Sequence, residues 1–164
     1  VKVITAPNHP TDAEYDAHWP MLFVAGGITG APNWQPEYLE MLKDVDGLAF
    51  NPRRPEFDVR DPNNAIVQIE WEAKYLAVAN AISFWFPKET LCPITLYELG
   101  RWTAEVLCRG SATKKLFIGV HPEYARRDDV EIQTKLALPH FDVVHSLEEL
   151  AIQVRMWSLV ETES

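Results

Sequence analysis

Cysteine is scarce in this chain. Only Cys92 and Cys108 occur among 164 residues. They form no CxxC pair and no metal-ligand spacing, so the expectation is two reduced thiols rather than a disulfide framework or a thiolate metal site. Positive charge is also short. Fifteen Lys and Arg stand against 24 Asp and Glu, for a net charge of −9. A general nucleic-acid binder needs a basic face to neutralise phosphates, so nucleic acid is not an expected partner. A small nucleoside stays open as a ligand. Long hydrophobic runs are missing too. None approaches the ~18 apolar residues of a membrane span, so no membrane association is expected. The opening VKVITAPNHP lacks the basic start and apolar core of a secretory signal, which makes the cytoplasm the expected compartment.

What is present is an ordinary globular composition, 47% hydrophobic and 24% charged. The length suits one domain with a real core. The domain is expected to run over residues 1–164, with 1–20 as an N-terminal extension and 160–164 as a frayed tail.

Hydrophobic patterning gives an alternation of strands and helices. Met21–Ala25 is a continuous apolar run stopped by Gly26-Gly27, as a strand buried on both faces would be. Asn33 offers an N-cap for a helix over Trp34–Lys43. Val45–Phe50 reads as a second strand. A polar, proline-studded loop of about 15 residues follows, a length that is uncommon in a compact domain and often functional, the other reading being a solvated surface loop. Ile66–Asn80 reads as a helix, Ala81–Phe86 as a third strand, and a helix opens past Pro93. Lys115–Val120 and Phe141–His145 complete the strands, with a short helix over Val130–Leu136 between them. Ser146 and Glu149 form a capping box for a last helix to about Leu159. Val1–Thr5 is a candidate short edge strand. This order specifies a three-layer α/β sandwich of the flavodoxin-like or Rossmann-like kind. Its parallel sheet is expected to have five strands in the order 2-1-3-4-5, with a ligand crevice between the first and third.

Two carboxylates stand out. On a helical wheel, Glu72 shares an inward face with Ile69, Ala73, Leu76 and Ala79. An acid on an apolar face needs a partner or a purpose, because burying a carboxylate costs several kcal/mol. A salt bridge to a loop arginine and a pocket role both fit. Glu98 lies just beyond the carboxyl end of the third strand, where open α/β sheets present chemistry. Leu99, Trp102 and Val106 of its helix point inward, and Glu98 sits at the edge of that face. It is either a surface acid paired with Arg101 or a group in the crevice. Its place early in a helix favours the ionised form. GGITG after the first strand is not GxGxxG, so it marks either a turn or a ligand approach. Gly26-Gly27, the Pro87–Glu98 segment and the Asn51–Arg60 loop all converge on one rim of the sheet. The loop's charges, Arg53, Arg54 and Arg60 with Glu56, Asp58 and Asp61, either pair with one another or face a ligand.

The segments FVAGGITGAPNWQ, FNPRRPEFD, QIEWEAKYLAVANAISFWFP and TLYELGRW, in this order over about Leu22 to Val120, resemble the nucleoside 2-deoxyribosyltransferase family. The resemblance implies an enzyme that cleaves the N-glycosidic bond of a 2′-deoxynucleoside and passes the deoxyribosyl group to another base. It implies Glu98 of YELG as the nucleophile and Glu72 as the second acid. It implies Phe23, Gly26, Gly27 and Ile28 as pocket lining, and Trp34 as a residue that stacks on the base. Asn51, Arg53, Arg54 and Asp58 are the substrate-binding candidates of the loop. The partners implied are a nucleoside, a free base and further copies of the chain in a homo-oligomer. Asp129 and Gln133 are candidates to reach a neighbouring site. Neither metal nor organic cofactor is required.

The chain departs from the family pattern in two places. Leu91-Cys92-Pro93 stands where better-known members carry base-contacting acids, and Phe23 stands where tyrosine is frequent. Two other readings therefore stay open. One is a glycosidase of 2′-deoxynucleosides or their 5′-monophosphates, since paired arginines suit a phosphate. The other is a nucleoside-binding protein without catalysis, on a fold that hosts many functions.

Overall fold

The computed structural model describes residues 1–17, 20–56, 60–110 and 114–162. The elements run β1 (Lys2–Thr5), α1 (Asp12–Ala17), β2 (Met21–Gly26), α2 (Gln35–Met41), β3 (Leu48–Asn51), α3 (Pro62–Val78), β4 (Ala81–Phe86), α4 (Pro93–Arg109), β5 (Lys115–Val120), α5 (Arg127–Ala137), β6 (Val143–Val144) and α6 (Leu147–Thr162).

The sheet has six strands, not the expected five, in the order β1-β3-β2-β4-β5-β6. Every pairing is parallel. The sixth strand is β1, the candidate edge strand, which pairs Lys2–Thr5 with Leu48–Asn51 of β3. The other five follow the expected 2-1-3-4-5 order.

Alternate residues of each strand serve two cores. Phe23 and Ala25 of β2, Phe50 of β3, and Ile82, Phe84 and Phe86 of β4 pack under α3, α4 and α5. Leu22 and Val24 of β2, Ala49 of β3 and Trp85 of β4 pack under α2 and α6. Both faces of β2 and β4 are covered, which is why those strands read as unbroken apolar runs.

Several boundaries differ from expectation. α3 begins at Pro62 rather than Ile66, because Asp61 caps it by accepting a hydrogen bond from the backbone N–H of Asn63 (2.9 Å) and Pro62 occupies the first turn. α5 begins at Arg127 rather than Val130, its start too polar to show apolar spacing. α2 is capped at Trp34 with no side-chain bond, so Asn33 is not the cap. β6 keeps only two residues of the expected Phe141–His145.

The inward face of α3 also differs. Leu76 and Ala79 are buried as expected, but Ile69 is 64% exposed and Ala73 is exposed, and Trp71 and Tyr75 are buried instead. The aromatic residues take the core side because β3 offers them a partner. Tyr75 stacks on Phe50 with ring centroids 4.3 Å apart, and Trp71 leans on both Phe23 and Phe50. Glu72 therefore reaches the sheet's rim from the flank of an aromatic stripe, not from the middle of an aliphatic one.

Candidate active site

Where β2 and β4 end, the chain leaves in opposite directions, to α2 behind the sheet and α4 in front of it. A crevice opens at that divergence. It holds a cavity of about 480 Å³, within the range of small-molecule sites. Its floor is the carboxyl end of β2, with Phe23, Ala25 and Gly26, and Gly27 just beyond it. One wall is α3, with Gln68 and Glu72. The opposite wall is the start of α4, with Ile94, Thr95 and Glu98.

Two glycines let the floor exist. A Cβ on Gly26 would stand 2.6 Å from the carbonyl oxygen of Trp85, and one on Gly27 would stand 2.7 Å from the Cys92 sulfur. Both approaches are closer than any side chain tolerates. The turn is held from behind by Trp34, whose indole N–H donates to the Gly27 carbonyl at 2.9 Å. Cys92 fixes the start of α4 in left-handed geometry (φ 49°), the sole positive φ outside glycine among the described residues. Such strain persists where the surroundings over-determine it, often at sites.

The electrostatics of the cavity centre on Glu72 and Glu98. Glu98 is pushed up to about 8, first by burial and then by the neighbouring charge of Glu72, with Arg101 partly opposing. The sequence favours an ionised Glu98 on the helix dipole, and the structure reverses this. Glu98 is the sixth residue of α4, past the first turn in which the dipole acts, so desolvation dominates. Among the described residues no ion pair joins Arg101 to Glu98, as the surface-acid alternative would have it, and the Arg101 guanidinium lies over the Trp102 ring, 5.0 Å from the centroid. Glu72 is also raised by burial, countered by a hydrogen bond from Gln68 at 2.7 Å. Two half-buried carboxyls facing one cavity resist double ionisation, so the pair tends to hold one proton.

The structure brings Phe23, Gly26, Gly27, Ile28, Arg54, Glu72 and Glu98 to the cavity wall. Three other candidates lie elsewhere. Trp34 is buried in the core on the far side of the sheet, so it supports the turn and offers no face for stacking. Asn51 ends β3, where its side chain accepts from the backbone N–H of Arg53 at 3.0 Å. Arg53 clamps the β2–α2 loop, donating to the carbonyls of Pro32 (2.6 Å) and Ala31 (3.0 Å) and to Oε1 of Gln35 (3.2 Å). Asp58 lies outside the described residues. Asp129 and Gln133 line a separate groove between α4 and α5.

Sequence reading misses Gln68, Thr90, Ile94 and Thr95 as cavity residues. Gln68 has a findable signal, since it stands four residues before Glu72 and so on the same face of a helix. Among the described residues, no group of three or more His, Cys, Asp or Glu side chains is placed to hold a metal ion. None of the described helices is long and apolar enough to cross a membrane.

A family model described as nucleoside 2-deoxyribosyltransferase like matches residues 19–122. No curated protein matches the chain. The matched span contains every residue of the cavity wall.

Proposed function

Because the chain belongs to the nucleoside 2-deoxyribosyltransferase-like family, whose model covers more than half of its length, we propose that it exchanges the base of 2′-deoxynucleosides through a covalent deoxyribosyl ester on Glu98. The observation that carries this reading is the pair itself. Two carboxyls from different helices face one cavity at the carboxyl ends of the strands.

The chemistry follows from the pair. Departure of the base leaves cationic character at C1′, which lacks the electron-withdrawing 2′-hydroxyl of a ribonucleoside. A carboxylate oxygen of Glu98 bonds to C1′ as the C1′–N bond breaks. The bonding electrons go to the base nitrogen, which takes the proton of the pair through Glu72. A second base then attacks C1′ through a ring nitrogen and displaces Glu98. Its N–H proton returns to the pair, so atoms and charge balance over the cycle. The apolar wall of Phe23, Ile28 and Ile94 suits the flat face of a base. The substrates proposed are thus a small nucleoside and a free base, handled without metal or organic cofactor.

Chromatography of deoxyinosine or thymidine, each with and without free adenine, tests the reading. A new peak of deoxyadenosine is expected. Free base with no new nucleoside points instead to hydrolysis. That second reading is favoured by Arg54 in the cavity wall, a group suited to a 5′-phosphate, and the same assay on 5′-monophosphates decides it.

A further inference from the structure

Gln68 lies four residues before Glu72 on α3, and its amide is held in one orientation. Its Nε2 donates to the carbonyl oxygen of Pro52 at 2.8 Å and to Oε1 of Glu72 at 2.7 Å. A backbone carbonyl accepts and never donates. Turning the amide over would set its oxygen against two acceptors at once. Pro52 therefore dictates that Gln68 presents N–H, never C=O, to Glu72. Its own oxygen stays buried without a hydrogen-bond partner, a cost that the two donated bonds outweigh only in this orientation.

We propose that Gln68 is a positioning residue: locked by the Pro52 carbonyl, it donates to Oε1 of Glu72, favours the ionised form of that carboxyl and so eases release of the proton that Glu72 passes to the leaving base. The inference rests on the proposed reaction for its catalytic meaning, but its statement about the proton concerns the ligand-free protein. In the reaction Gln68 supports the carboxylate that Glu72 must be once the proton has gone to the leaving base. Without that donor Glu72 holds the proton more tightly, and releasing it to the base becomes harder.

Other titratable groups surround the pair. From α4, Glu98 faces Glu72, and Arg101 acts on Glu98. From the loop after β3, Arg54 lies in the cavity wall, and from the start of α4 the Cys92 thiol does, its pKa raised by burial so that it stays neutral. On α3 itself Glu70 and Lys74 are exposed, and Lys74 lies over the Tyr75 ring. The bond from Gln68 is the influence that opposes the burial of Glu72, so a change at Gln68 reads out on the pair.

The test is carbon-13 NMR of glutamate carboxyls in the ligand-free protein, with Glu72 and Glu98 assigned by single substitution. Wild type is compared with Gln68→Met, which has no donor, and Gln68→Lys, which has only donors. The midpoint of Glu72 is expected to rise by about one pH unit in Gln68→Met, as loss of a hydrogen bond to a charged group implies, and to fall in Gln68→Lys. A Glu72 midpoint that is unchanged or lower in Gln68→Met overturns the proposal, because no donor is then lost to Glu72, and an unchanged midpoint in Gln68→Lys overturns it too, because the side chain at position 68 then does not reach Glu72. In turnover, kcat of Gln68→Met is expected to fall roughly tenfold with KM little changed. If wild type turns over no nucleoside, the proposed function fails while the titration still decides the role of Gln68.

Discussion

Glu98 on α4 and Glu72 on α3 face a single cavity, where burial and then the charge of Glu72 push the pKa of Glu98 up to about 8. A protein that sets two carboxyls against one cavity gives up stability for the site they make once the pH is high enough to ionise both.

Stability should therefore depend on pH in a definite direction. The folded form holds a proton on Glu98 that the unfolded chain releases near 4.5. This contribution is fully present below 4.5 and is lost as the pH rises through about 8. Glu98→Gln removes the charge and keeps the shape. It is expected to melt higher than wild type at pH 8, with the gap closing toward pH 4.5, and each kcal/mol showing as about 2–4 °C. Thermal melts over that range check the sign, and a variant that melts lower at pH 8 contradicts it.

The two adjacent arginines should separate. Arg53→Ala strips the β2–α2 loop of two hydrogen bonds and leaves Oε1 of the fully buried Gln35, the first residue of α2, without its donor. A stability loss of about 1–3 kcal/mol is expected, seen in urea unfolding as a lower midpoint at constant slope. Arg54→Ala is expected to change the ratio of activities on 5′-monophosphate and nucleoside instead. Equal effects of the two variants on that ratio would remove the distinction.

The thiols offer a simpler check. Cys108 is exposed, and Cys92 is buried with its pKa pushed up to about 11. The thiolate is the reactive form. At pH 7.5 a thiol reagent should label Cys108 at least tenfold faster than Cys92, and peptide mapping assigns the sites. Fast labelling of Cys92 would show that the start of α4 opens freely.

Much of the fold is legible in the sequence because β2 and β4 are covered on both sides. A short unbroken apolar run bounded by turn residues, such as MLFVA or AISFWF, is what a strand buried on both faces requires. Glu72 is visible as a candidate for a related reason, since an acid beside an apolar helix face must find a partner or a pocket, whereas Glu98 is a candidate by its place just beyond the carboxyl end of a strand, its own helix face leaving it open. What the sequence hides is decided by tertiary contact. Nothing local says that Trp34 belongs to the layer behind the sheet, or that Arg53 turns back to Ala31 and Pro32 rather than toward the crevice. The aromatic stripe of Trp71 and Tyr75 wins the inward side of α3 because Phe50 stands opposite, and a wheel weighted by aliphatic residues misses that. The ionisation of Glu98 is hidden too, because burial, invisible in sequence, outweighs the helix dipole.

The most direct test of the central claim is to mix the protein with a 2′-deoxynucleoside, omit any acceptor base, quench with acid and map the peptides by mass spectrometry. The expected result is one deoxyribosyl unit on the peptide that carries Glu98, absent in Glu98→Ala, whose base exchange is also lost. Undiminished exchange by Glu98→Ala, with no adduct on the wild-type peptide, would contradict a covalent role for Glu98.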